Sequence, residues 1–215
     1  ASGSNYTQTT LSLPSLLNAA HVRQVERELP PGSKDPTLMN HLLDRSRVAR
    51  YFQAHGYRYV FFPSGWWSST HTSPIADSVV HVWSGFDLDR ELSGTEFRQA
   101  VMRTTLLNYV RPDEPFDGEF VRRTLDGVAH LPADNRPTFA FVHVISPHSP
   151  FVFDRHCRRP AADLGVRDRR AAYLGQLQCL NGLVLEAVTK ILRDSDVPPV
   201  ILLQGDHGST ILHFS

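Results

Sequence analysis

The 215-residue sequence predicts an α/β fold, a three-layer α/β/α sandwich around a mainly parallel sheet. Three observations carry that expectation. Phe139 to Ile145 is a nearly continuous apolar run, the pattern of a strand buried on both faces of a parallel sheet. Val200 to Leu203 is a second such run, shorter and directly after Val197-Pro-Pro. Between them, from about Arg170 to Arg193, lies the longest helical pattern, with Tyr173, Leu177, Leu180, Val184, Val188 and Ile191 at three- and four-residue spacing.

The remaining elements follow along the chain. The first ten residues are rich in Ser, Thr and Gly and read as a loop. From Thr10 to Ala20 the chain turns apolar, and Pro14 is tolerable in a first helical turn. A second helix is signed by Asp35 as cap and Pro36 at its first position. Leu38, Leu42, Ala49 and Phe52 then follow one face until Gly56. Tyr57 to Phe62 reads as a strand stopped by Pro63. Pro63 to Glu91 mixes Pro, Gly, Ser, Thr and Trp and reads as a surface excursion. A half-apolar stripe of Phe97, Val101, Thr105 and Asn108 suggests a helix over Glu96 to Tyr109.

With 41% hydrophobic and 20% charged residues the chain can bury a sizeable core as one domain spanning 1–215. Lys plus Arg and Asp plus Glu are both 22, so no basic excess argues for nucleic acid, and no acidic tail is present. The run Arg167 to Arg170 reads as a solvated face. No apolar stretch reaches the roughly 20 residues of a membrane span, and no signal peptide is visible at Ala1 to Asn5. Cys157 and Cys179 are expected as two buried thiols, with pairing left open.

Open parallel sheets gather ligands at the carboxyl ends of their strands, and two expected strands end in reactive side chains. The later one runs into Gln204-Gly205-Asp206-His207-Gly208. A carboxylate beside an imidazole, flanked by glycines, can put both side chains on one divalent cation; the alternative is a polar turn with a capping Asp. The earlier one runs into Ser146-Pro147-His148-Ser149-Pro150. There the prolines hold His148 in one orientation, suited to an anionic oxygen; the alternative is a surface histidine. His143, inside that strand, reads as a core residue, and His213, six residues after His207, is not counted among the ligands. A third segment, Asn5 to Asn18, places the hydroxyls of Thr9 and Thr10 at a helix start. Backbone N–H groups favour anions there, although such threonines ordinarily serve as caps. Tyr57, Tyr59, Trp66, Trp67 and Trp83 read as packing, with a lipid or glycan contact as the alternative.

Together these motifs make the sequence resemble the sulfatase-like hydrolases and transferases of the alkaline phosphatase superfamily. In pattern it is most similar to phosphoethanolamine transferases and lipoteichoic acid synthases. In the former a nucleophilic Thr lies three residues before a Ser-hydrophobic-Pro step, here Ser12-Leu13-Pro14, which implies Thr9 as nucleophile and metal ligand. The family's Asp-His-Gly falls on Asp206, His207 and Gly208, implying two further metal ligands. Its His-x-Pro loop falls on His148, implying contact with the substrate head group. Tyr173, Gln176 and Asn181 match a Tyr-x-x-Gln…Asn spacing on the long helix, there for packing.

The resemblance implies an alkaline-phosphatase-like fold, a divalent cation (zinc or manganese), a phosphoester or lipid head-group substrate, and a place outside the cytoplasm. Membrane association would come through segments outside this sequence. An acidic ligand ahead of the nucleophile and a histidine beyond the Asp-His-Gly have no counterpart here, so the chain reads as a truncated catalytic domain. The Cys/Ser-x-Pro-x-Arg signature of formylglycine sulfatases is missing, since Cys157 sits in Cys-Arg-Arg-Pro. Phosphoryl transfer through a phospho-threonine is therefore expected. Sulfuric-ester hydrolysis or an inactive sulfatase-like binding module are the alternatives.

Overall fold

A computed structural model of the chain describes residues 4–23, 37–64, 73–82, 117–132, 134–161 and 168–209. Its elements in chain order are helices α1 (Thr9–Asn18), α2 (Thr37–Asp44) and α3 (Arg47–Ala54), strands β1 (Arg58–Phe62) and β2 (Ser78–Val79), helix α4 (Gly118–Ala129), strand β3 (Thr138–Val142) and helix α5 (Arg169–Asp194). β1 lies between β2 and β3 and is parallel to both. Tyr59 is in register with Phe139 and Phe61 with Phe141.

Side chains alternate across a strand, so each strand feeds two layers. On one face Tyr59, Phe61, Phe139 and Phe141 pack with Ala49 of α3, and Phe141 also meets Leu13, Leu17 and Leu43 of α1 and α2. Phe52 of α3 stacks on Phe139 with centroids 4.6 Å apart. On the other face Phe62 points at α4, where a Cβ on Gly127 would lie 3.2 Å from its ring. α5 then packs on α4 through Val121, Phe153, Cys179 and Leu180. Helices cover both faces of a parallel sheet, which is the α/β architecture the sequence predicts.

Several elements differ from expectation. The helix read from Asp35 to Gly56 is two helices, because Ser46 is fully buried and breaks the run. Its hydroxyl accepts from Ala49 N (3.0 Å), capping α3, and donates to Leu17 O (2.8 Å). Asn18 completes the joint: its amide donates to Pro14 O and Leu42 O and accepts from Arg47 N. Gly56, at φ +82°, follows α3 in the left-handed region that turns the chain into β1. The surface excursion after Pro63 contains the edge strand β2, held where Asp77 accepts from Tyr59 N (2.8 Å). β3 ends at Val142, short of the expected Ile145.

The expected strand Val200 to Leu203 does not form. Those four residues carry no regular secondary structure, Val200 and Leu202 about nine-tenths exposed, and no ladder joins them to another strand among the described residues. An apolar run encodes burial but not a pairing partner, and Pro198 and Pro199 bring no N–H to start a ladder. On α5 the buried positions are Ala172, Gln176, Cys179, Leu180 and Ala187, a stripe rotated from the large apolar residues; Asn181 is exposed. Cys157 and Cys179 are not free thiols but a disulfide. The expected helix over 96–109, the three tryptophans, His213, Asp35, Pro36 and Arg167 lie outside the described residues.

Candidate active site

α1 and the turn after the 200–203 segment meet at one point. Gln8 takes extended backbone ahead of α1 and its carbonyl accepts from Ser12 N, so Thr9 opens the helix. Thr9 Oγ1 donates to Asp206 Oδ2 at 2.6 Å and lies 3.2 Å from His207 Nε2. One turn along the same helix face, the Ser12 hydroxyl donates to the Asp206 carbonyl. Two hydroxyls of α1 thus grip one residue that is 197 positions away from Thr9.

The acid and the imidazole are themselves oriented. Asp206 Oδ1 accepts from His207 N (2.9 Å), which leaves Oδ2 aimed at Thr9. His207 Nδ1 is 2.9 Å from the Gly208 carbonyl. A carbonyl only accepts, so that contact assigns the proton to Nδ1 and leaves the Nε2 lone pair facing Thr9. Nε2 lies 3.5 Å from Asp206 Oδ2. Both side chains are about one-fifth exposed, sheltered yet open to a small ligand.

His143, enclosed by protein as its reading as a core residue expects, also belongs to this neighbourhood. It follows β3 and continues the alternation that puts Phe139 and Phe141 on the α1 side. Its ring feels both Asp206, which favours the charged form, and His207, which opposes it. Enclosure by protein outweighs both and pushes its pKa down to about 4, so it is neutral near pH 7. The signal in the sequence was its place at the carboxyl end of a parallel strand.

His148 is placed differently. It sits in the loop after β3, its N–H bonded to Ile145 O (2.9 Å), its Nδ1 against the Ser149 carbonyl and its ring exposed. The peptide bonds before Pro147 and Pro150 are cis. The hydrogen bonds that gather Thr9, Ser12, Asp206 and His207 do not run through it.

Among the described residues no group of three or more His, Cys, Asp and Glu side chains is placed to hold a metal. Asp206 and His207 offer an oxygen and a nitrogen, and the Thr9 hydroxyl adds a third donor. Zinc bonds of about 2.0–2.1 Å in a tetrahedron require donors roughly 3.3 Å apart. The separations of 3.2 and 3.5 Å to His207 Nε2 match that edge, and the 2.6 Å Thr9–Asp206 contact has only to lengthen. The residues therefore fit a divalent cation with mixed N and O ligands.

No curated protein and no solved structure matches the chain. A family model described as Sulfatase matches residues 2–213, nearly the whole length, and its span includes α1, the parallel sheet and the Asp206–His207 turn. The chain belongs to the sulfatase family, hydrolases and transferases of the alkaline phosphatase superfamily.

Proposed function

We propose that the protein is a metal-dependent phosphoryl-group transferase or phosphoester hydrolase with Thr9 as nucleophile, of the kind that moves phosphoethanolamine or phosphoglycerol. The observation that carries this reading is the meeting of Thr9 Oγ1 with Asp206 Oδ2 and His207 Nε2. Thr9, Asp206 and His207 would hold the cation, zinc or manganese. When bound, it supplies positive charge that lowers the hydroxyl pKa and offsets charge building on phosphorus-bound oxygen.

The chain's own residues do the rest. Asp206 engages the Thr9 proton, so an oxygen lone pair is presented outward. Thr9 Oγ1 attacks phosphorus in line; the new Thr9 O–P bond forms as the bond to the leaving alcohol breaks. An acceptor hydroxyl or water then attacks the phospho-threonine from the vacated side and restores Thr9. His148, on its exposed loop, is assigned to the transferred head group. His143, neutral beside the acid–imidazole pair, can offer a hydrogen bond without adding charge.

The disulfide supports a location outside the cytoplasm, since such bonds persist in oxidising compartments. Among the described residues no helix is long and apolar enough to cross a membrane. Turnover of a nitrophenyl phosphodiester by the full-length protein, with zinc or manganese, tests the assignment. Thr9→Ala is expected to lose at least about 1,000-fold in kcat while melting as the parent does, because the covalent step has no substitute. Unchanged turnover would remove Thr9 from the mechanism.

A further inference from the structure

The loop that carries His148 has an unusual support. Pro147 and Pro150 bring no N–H, so the segment 146–150 has little backbone with which to bond itself. One side chain on α5 bonds both the loop and the chain just after it. Gln176 is fully buried, with 0% of its surface exposed, on the same helix face as Cys179 and Leu180. Its Oε1 accepts from Val152 N at 2.6 Å and from Phe153 N at 3.2 Å. Its Nε2 donates to the His148 carbonyl at 3.2 Å.

One amide therefore clamps the loop on both sides of Ser149-Pro150. Its two acceptor positions hold the outgoing limb and one donor holds His148 itself. Three residues further along α5, the Cys157–Cys179 disulfide fixes the following turn. Asp154 tightens that turn by accepting from His156 N (2.8 Å) and Arg158 N (2.9 Å). The disulfide tethers the turn, whereas Gln176 bonds the His148 carbonyl itself.

We propose that Gln176 is a positioning residue that sets where the His148 imidazole stands relative to the transferred group. Packing alone would be served by any side chain of similar volume; three directed hydrogen bonds to one loop would not. The assignment rests on the reading of His148 as a substrate contact.

The discriminating experiment is a double-mutant cycle in the full-length protein, with turnover of a nitrophenyl phosphodiester measured well below each variant's melting temperature. Gln176→Glu keeps both acceptors and the volume but removes the donor and sets a carboxylate oxygen against the His148 carbonyl. Gln176→Met removes all three bonds, and serves if the charged variant does not fold. Misplacing a contact by an ångström costs up to roughly 100-fold, so a fall of roughly 10- to 100-fold is expected from either Gln176 variant. In a His148→Ala background the same substitution is expected to cost almost nothing more. Equal losses in both backgrounds, or no loss in the first, would make Gln176 a packing residue and overturn the proposal. Unchanged turnover in His148→Ala alone would remove the substrate-contact reading itself, a distinct failure that takes the proposal with it.

Discussion

Thr9 owes its position to two contacts of a different kind. The hydrogen bond to Asp206 Oδ2 orients its hydroxyl, and Ser12 one turn later holds the Asp206 backbone so that the carboxylate cannot swing away. His207 adds a fixed tautomer through Gly208. His143 is the titrating group beside this cluster, and its burial, more than the charges of Asp206 and His207, sets its protonation. In the unfolded chain it takes up a proton near its ordinary 6.5, whereas in the folded protein it resists until about 4. Between those values the unfolded state binds more protons. Its contribution is thus complete above pH 6.5 and is lost as the pH falls towards 4. In metal-free protein, the urea midpoint is expected to drop across that window, and to drop less in His143→Gln. Parallel curves for the two proteins would place the ring in solvent.

At the scale of elements, the site depends on how helices sit on three short strands. α4 begins where Gly118 meets the ring of Phe153, and a Cβ there would lie 2.6 Å from a ring carbon. Phe153 cannot yield easily: it is 2% exposed, its N–H is held by Gln176, and the Arg122 guanidinium stacks over it at 5.2 Å. Alanine is favoured over glycine inside a helix by about 1 kcal/mol, while overpacking a core costs about 1–3 kcal/mol. The clash should win. Gly118→Ala is expected to destabilise the protein by about 1 kcal/mol, read from denaturant unfolding; a gain in stability would mean that the Phe153 pocket is loose.

The same scale shows what sequence could and could not encode. β1 and α5 were legible within a residue or two, because a bounded apolar run and a long 3–4 stripe each have one solution. α4 was missed although Asp117 caps it and Phe120, Val121 and Thr124 share its buried face. Gly118 and Gly127 lower its intrinsic propensity, and both are there to admit Phe153 and Phe62. The buried face of α5 was misread because glutamine and alanine form it. The 200–203 run was over-read, since apolarity without a pairing partner does not make a strand. Of the site, Asp206, His207 and the Thr9–Thr10 junction were visible as motifs, whereas the role of His143 needed the strand alternation and the packing of α1 to emerge.

Across the whole molecule, the disulfide is the covalent link between the turn after Phe153 and α5. No spacing rule could assign it, because pairing depends on where two Cα atoms finish, here 5.1 Å apart. It closes a span of 22 residues, for which chain entropy gives about 3 kcal/mol of stabilisation. Cys157→Ser with Cys179→Ser is expected to lose about that much in denaturant unfolding; no loss would mean that the unfolded chain is already constrained there.

On the proposed mechanism one threonine hydroxyl, activated beside an acid and an imidazole from the far end of the chain, carries the phosphoryl group. Acid-quenched reaction of the full-length protein with a phosphodiester, followed by peptide mass spectrometry, addresses it directly. The added mass is expected on Thr9 when zinc or manganese is supplied, and absent after chelation or in Asp206→Asn. Turnover accompanied by label on another residue, with Thr9 unmodified throughout, would contradict the account.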